Sequence, residues 1–189
     1  MNVSGRNWSL NSDSLWVENQ AATPITGTGT VLPKATIVGT YSKNGTLAGA
    51  WGPLKYSPSN ALAVTASNLV GRWTTDAADG IGMTIDVDAT GTFTGSTTGT
   101  VVGVCNLAGT VLQGEPQSSK NNFDISLAAR NAAGTGDKAC ELDPMPYAGQ
   151  AAIFLAPAGR YDSNGYYRTL GILIKTDQFA RLSVFLRKQ

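Results

Sequence analysis

Two cysteines, Cys105 and Cys140, are the only thiols in this chain, and none of its 189 residues is a histidine. Those two facts narrow the chemistry at once. Without imidazole there is no Ser-His-Asp triad, no Cys-His couple and no His-ligated zinc. Two cysteines cannot close a Cys-only zinc site, which needs about four ligands. Two readings of the pair stand side by side. They are separate buried thiols, or a bridge closing a loop of about 35 residues and contributing about 3–4 kcal/mol in the chain-entropy view. We expect the bridge, and with it an oxidising compartment.

Other candidate chemistry resolves into turns. Asp86-Val87-Asp88-Ala89-Thr90-Gly91 has the opening of a calcium loop, with oxygen ligands at alternate positions and glycine sixth. The twelfth position, where such a loop wants glutamate, is Thr97, so a hairpin turn with solvated carboxylates is the expectation. Paired-carboxylate catalysis needs two acids flanking a cleft. Here Asp76, Asp79, Glu115, Asp137, Asp143, Asp162 and Asp177 fall in turn-like segments. There is no G-x-S-x-G elbow and no glycine-rich phosphate loop before a helix. We therefore expect no enzyme, no cofactor and no metal.

The segment most like a recognition surface is Arg160-Tyr161-Asp162-Ser163-Asn164-Gly165-Tyr166-Tyr167-Arg168. Tyr and Arg dominate binding hot spots, with Ser, Gly and Asn as adaptable neighbours. If Asn164-Gly165 forms a two-residue turn, Tyr161 faces Arg168 and Asp162 faces Tyr167. The same residues would then also serve as cross-strand pairs that steady a hairpin. Tyr147, in the Pro-bounded Pro144-Met145-Pro146-Tyr147 beside Cys140, is a second candidate, rimming or capping a barrel mouth. Trp8, Trp16, Trp51 and Trp73 are all expected mostly in a core or seam. Trp8 and Trp16 could dock the first residues on the barrel or on a partner.

These residues need a scaffold, and composition points to β-structure. Basic and acidic groups number 14 and 13, and only 14% of residues are charged, against roughly 25% in ordinary soluble domains. A basic nucleic-acid footprint is absent. The polar residues are instead Gly, Thr and Ser, at 22, 21 and 14 copies, and threonine favours strands. No apolar run reaches the roughly 18 residues of a membrane-spanning helix. The first five residues lack the basic start and apolar stretch of a signal peptide.

Period-two alternation dominates from residue 70 onward. Examples are Met83, Ile85 and Val87; Phe123, Ile125 and Leu127; Leu170, Ile172 and Ile174; and Leu182, Val184 and Leu186. Strands are expected near 70–75, 81–88, 91–97, 100–112, 121–129, 149–156, 167–176 and 178–187. Helix is expected to be scarce, at most a turn near 58–63 or 141–145. Eight consecutive strands with short turns suggest an up-and-down barrel, which leaves no sheet edge exposed. The first 66 residues offer strands near 35–42 and 46–51, and two more around Trp8 and Leu15–Val17. Thr36-Ile37-Val38…Gly45-Thr46-Leu47-Ala48-Gly49 echoes Thr84-Ile85-Asp86…Gly91-Thr92-Phe93-Thr94-Gly95. That is either a partial repeat or two hairpins built with the same turn residues.

Leu69-Val70-Gly71-Arg72-Trp73 resembles the G-x-W start of lipocalin and avidin-type barrels. The wider layout resembles a group of secreted or lipid-anchored Gram-negative envelope proteins. Its landmarks here are Gly71/Trp73, Gly91–Gly95, Cys105/Gly109, Asn121–Ile125, Cys140 and Tyr147–Ala151. The resemblance spans about residues 67–156, with a tail to 189, and implies no assigned enzymatic role. It also implies that a basic residue late in the chain, Arg181 or Arg187, covers Trp73 by cation–π stacking. The lipocalin T-D-Y segment has no counterpart, and Thr75 stands where avidins place an asparagine. Neither a lipocalin ligand nor biotin is therefore implied.

The expectation is an all-β protein: an N-terminal β-extension over 1–66 and an eight-stranded antiparallel barrel over 67–189. We expect it in the periplasm, anchored at the outer membrane by a lipid or outside the cell, with any export signal lying outside this sequence. It would act as a non-catalytic binding module for a protein or a small apolar ligand. The alternatives are an inhibitor of an exogenous hydrolase and a structural module of a larger envelope protein.

Overall fold

The computed structural model describes residues 1–18, 21–56, 61–75, 80–157, 166–178 and 180–189; of Pro157, Tyr166 and Tyr167 it describes the backbone alone. The chain divides into two compact units, Met1–Pro58 and Ser59–Gln189. The division falls before the 66/67 boundary drawn from sequence because Val64 belongs to the buried cluster of the second unit.

The first unit holds six strands: β1 Asn2–Ser4, β2 Asn7–Ser9, β3 Leu15–Glu18, β4 Ala21–Leu32, β5 Thr36–Lys43 and β6 Thr46–Lys55. They form one antiparallel sheet in the order β1-β2-β4-β5-β6, with β3 also paired to β4. β4 is absent from the sequence reading. Its Gly and Thr alternation carries little apolar signal, and glycine and proline are depleted in strands. Its glycines make room for Trp8. A Cβ on Gly29 would lie 2.6 Å from the indole nitrogen, and one on Gly39 of β5 would strike the same ring. The indole donates a hydrogen bond to the Val38 carbonyl at 2.9 Å and meets Trp51 edge-on, ring centroids 5.3 Å apart. Trp16 stacks on Tyr41 at 5.6 Å, with the Lys43 ammonium 4.2 Å from its ring. Trp8 and Trp16 thus find partners inside their own unit, but Trp16 and Trp51 are exposed at 39% and 36% rather than in a core.

The second unit is an eight-stranded closed barrel. Its strands are β7 Gly71–Thr74, β8 Gly82–Val87, β9 Thr92–Thr98, β10 Cys105–Gln113, β11 Phe123–Asn131, β12 Tyr147–Pro157, β13 Tyr166–Lys175 and β14 Arg181–Lys188. Each pairs antiparallel with the next, and β14 returns to β7. The alternation seen in the sequence sorts the faces as expected: Leu170, Ile172 and Ile174 point inward, as do Leu182, Val184 and Leu186. Inside, Trp73, Phe93 and Phe123 are almost completely buried. Large inward side chains filling the lumen are what an eight-strand circumference allows.

The β14–β7 seam is short. It pairs only Arg187 with Thr74 and Lys188 with Trp73, and the Gln189 amide then donates to the Arg72 carbonyl at 3.0 Å. Before β7, Ala66–Asn68 make a single 3-10 turn, begun by the Thr65 amide donating to Asn68 Oδ1 at 2.8 Å. Ala61, inside the 58–63 position expected for a helical turn, is also in 3-10 conformation, whereas 141–145 holds turns and a bend but no helix. Pairing neighbour to neighbour puts the connections 88–91 and 114–122, with segment 61–70, at one end of the barrel. The connections 99–104, 132–146 and 176–180 lie at the other.

Candidate functional site

The candidate residues separate onto the two ends of the barrel. Trp73, Arg168 and Arg187 lie toward the end that carries segment 61–70. Tyr147, Cys105, Cys140 and Arg181 lie toward the other.

At the first end Trp73 is fully buried, and its indole N–H donates to the Leu69 carbonyl at 2.6 Å. The cation over the ring is Lys188, 5.1 Å from its centroid, in place of the expected Arg181 or Arg187. The reason is strand parity. Leu182, Val184 and Leu186 face inward, so residue 188 also faces inward, while 181 and 187 face out and are exposed. The Lys188 ammonium donates to the Asn68 carbonyl at 2.8 Å. Burial, and then the positive charge of Arg168, hold its pKa below the ordinary lysine value.

Arg168 is exposed and pairs with Leu155, and Tyr167 pairs with Ala156. The register built on a two-residue Asn164-Gly165 turn, with Tyr161 opposite Arg168, is therefore not the one these strands adopt. The described register, Pro157 opposite Tyr166, is centred away from Asn164-Gly165. Arg160, Tyr161 and Asn164 lie outside the described residues. The side chains of Tyr166 and Tyr167 do too.

At the other end Cys105 and Cys140 form the expected disulfide, S–S 2.09 Å. It ties the first residue of β10 to the 132–146 connection, which is also hydrogen-bonded to the 99–104 connection. The Val104 amide donates to the Lys138 carbonyl at 3.0 Å, and the Glu141 amide to the Val102 carbonyl at 2.9 Å. The Lys138 ammonium donates to the Thr100 and Val101 carbonyls, both at 2.9 Å. Val102 and Leu142 are buried beneath this layer, and Met145 packs on the core. Tyr147 is buried with them, and burial pushes its phenol above the ordinary pKa. It belongs to the cap over the barrel end rather than to an open rim.

The calcium-like segment is a turn. Asp88 Oδ1 accepts from the Thr90 amide at 2.8 Å, the Thr90 hydroxyl at 2.7 Å and the Thr92 amide at 3.1 Å. Gly91 sits at φ +81°, the left-handed region that glycine takes without strain. Thr97 is buried and donates to the Gly103 carbonyl at 2.9 Å, turned away from the carboxylates. No group of three or more potential ligands is gathered for a metal among the described residues. The Thr90 contacts lower the Asp88 pKa. A depressed folded-state value means that its contribution to stability is present above the ordinary carboxylate range, near 4. That contribution fades as pH falls through the folded value. In an NMR titration Asp88 should have its midpoint below 3.8. Thr90→Ala should move the midpoint back up, and an unchanged value would contradict the role given to Thr90.

One outer face was missed from sequence. On β12, β13 and β14 the outward positions include Phe154, Gly171, Leu173 and Phe185. Phe185 is 62% exposed and Leu173 59%. The rings of Phe154 and Phe185 meet edge-on, centroids 6.1 Å apart. They converge over Gly171, where a Cβ would approach them to 2.6 and 3.0 Å. The signal that could have found this face is parity again. Phe154, Leu173 and Phe185 fall out of phase with the inward set of each strand, at positions where a solvated barrel would carry polar groups.

No helix among the described residues is long and apolar enough to cross a membrane. The closed, eight-stranded antiparallel barrel is consistent with a calycin-like architecture. No family model matches the chain, and no curated protein or solved structure matches it either.

Proposed function

We propose that this chain is a non-catalytic module of the cell envelope that binds a protein partner on the outside of its barrel. The observation carrying the reading is the outward patch around Gly171, where exposed Phe185 and Leu173 meet the half-buried Phe154. Aromatic anchors beside a bay are the pattern of interface hot spots, and exposed apolar patches on soluble proteins mark interaction sites. Supporting it, the inward positions are occupied by core side chains, which favours a contact outside over a ligand inside. The disulfide fits an oxidising compartment, hence the periplasm, the outer-membrane surface or the exterior. The G-x-W start and the spacing of the two cysteines fit the resemblance to exported envelope barrels.

The test is a double substitution, Phe185→Ser with Leu173→Ser. Both side chains are exposed, so stability should stay within about 0.5 kcal/mol of the parent. Capture of a specific partner from an envelope extract should fall by about ten-fold or more, the effect of losing hot-spot contacts. Equal capture by both proteins would remove this face from the function. A self-association seen in sedimentation and abolished by the substitutions would reassign the face to a contact between copies.

A further inference from the structure

The end of the barrel that carries segment 61–70 has a cleft of about 140 Å³ that the outer-face reading does not use. Its apolar lining comes from Leu62, Ala63, Val64, Ile153 and Leu155. The topology explains why these residues meet. Ile153 is the last fully buried inward residue of β12, and Leu155 and Arg168 continue the inward parity of β12 and β13 past the core. Segment 61–64 comes in beside them, held by the Val64 amide donating to the Ser119 carbonyl at 3.1 Å.

The charge at this cleft is one-sided. Arg168 lines it, as does Asn68, whose carbonyl holds the Lys188 ammonium at 2.8 Å. Among the described residues, no carboxylate forms an ion pair with Arg168 or Lys188. All five surface ion pairs among those residues use other cations: Lys43, Arg72, Lys120, Arg130 and Lys138. Because Asn68 lines the cleft together with Arg168 and its carbonyl holds the Lys188 ammonium, both cations sit at this end, and burial and then the Arg168 charge lower the Lys188 pKa. Two neighbouring cations with no ion-paired carboxylate among the described residues raise each other's energy, and an anion placed between them lowers that cost. Guanidinium also offers a carboxylate paired hydrogen bonds in its own plane.

We infer that this cleft binds a small amphiphilic carboxylate, its tail against Leu62, Val64 and Ile153 and its head between Arg168 and Lys188. The volume sets the size of the tail, since a cavity of about 150 Å³ accommodates benzene. The site is independent of the Phe154–Phe185 face and stands or falls separately from it.

The test uses the full chain, isotopically labelled, titrated with hexanoate, acetate, 1-hexanol and hexylamine. NMR shifts are followed at Val64, Asn68 and Arg168. Hexanoate should bind about ten-fold more tightly than 1-hexanol, the factor that one charge-assisted hydrogen bond supplies. Acetate should be weaker because it lacks the tail, and hexylamine should be weakest. Arg168→Gln, a change at an exposed position, should bring hexanoate down to the level of hexanol. Ala63→Phe should fill the apolar half and abolish binding of both. Equal affinity for hexanoate and hexanol would overturn the proposal, as would an affinity unchanged by Arg168→Gln. Acetate binding as tightly as hexanoate would reduce the site to a bare anion contact, which also overturns it.

Discussion

Replacing Trp73 with alanine should cost the barrel about 3–5 kcal/mol, the range for truncating a large buried aromatic. The residue has no solvent exposure and donates to the Leu69 carbonyl. Truncation would therefore open a cavity at the end of the core, leave a buried carbonyl without its donor and remove the ring beneath Lys188. For a domain of this size that is a large share of a total stability of roughly 5–15 kcal/mol. Equilibrium unfolding in urea, followed by circular dichroism, measures the effect. A companion variant, Trp73→Phe, separates the causes. It keeps most of the ring volume and should lose about 1–3 kcal/mol through the unsatisfied carbonyl. A loss below 1 kcal/mol for the alanine variant would show that Trp73 is not a structural centre of the fold.

The second large effect concerns Cys105 and Cys140. Their loop has a sequence separation of 35, for which the chain-entropy account gives about 3–4 kcal/mol. The double variant Cys105→Ala, Cys140→Ala should unfold at correspondingly lower denaturant, and reductant should not move it further. Reductant should carry the parent protein toward the same midpoint. The hydrogen bonds of Lys138 and Glu141 to the facing connection survive the substitution, so the cap should loosen before the barrel does. That order is readable by amide exchange at Val104 and Glu141. Equal midpoints for parent and variant under oxidising conditions would refute the stabilising role of the bridge.

What the sequence disclosed depended on whether one face of an element was buried. Along β8, β11, β13 and β14 one side faces a packed interior, so apolar residues recur at every second position and the barrel could be read directly. The cysteine pair was narrowed by the lack of any other ligand for it. Where a tryptophan does the work of several side chains, the signal fails. Trp8 lies across Gly29 and Gly39, so β4 shows almost no apolar alternation although it is twelve residues long. The cation over Trp73 was misassigned although parity contained the answer, since β14 can turn only alternate residues inward. The β12–β13 register could not be read from Asn164-Gly165, because the observed pairing, Pro157 opposite Tyr166, is not centred on that dipeptide. Phe154, Leu173 and Phe185 sat in plain view but were counted as members of strands rather than assigned to a face.

The brevity of the β14–β7 seam has a consequence for how the barrel assembles. Every other pairing in it joins consecutive strands, so each can form soon after its turn closes. The seam alone unites chain segments separated by nearly the whole domain, and it offers two residue pairs in return for the largest loop-closure entropy. A meander of paired strands is therefore expected to precede the cylinder, with the meeting of Lys188 and Trp73 coming last. Before that meeting, β7 and β14 are free edges able to pair with a neighbouring chain. The Lys188–Trp73 contact is then a latch whose timing decides between a closed monomer and an open, associating sheet.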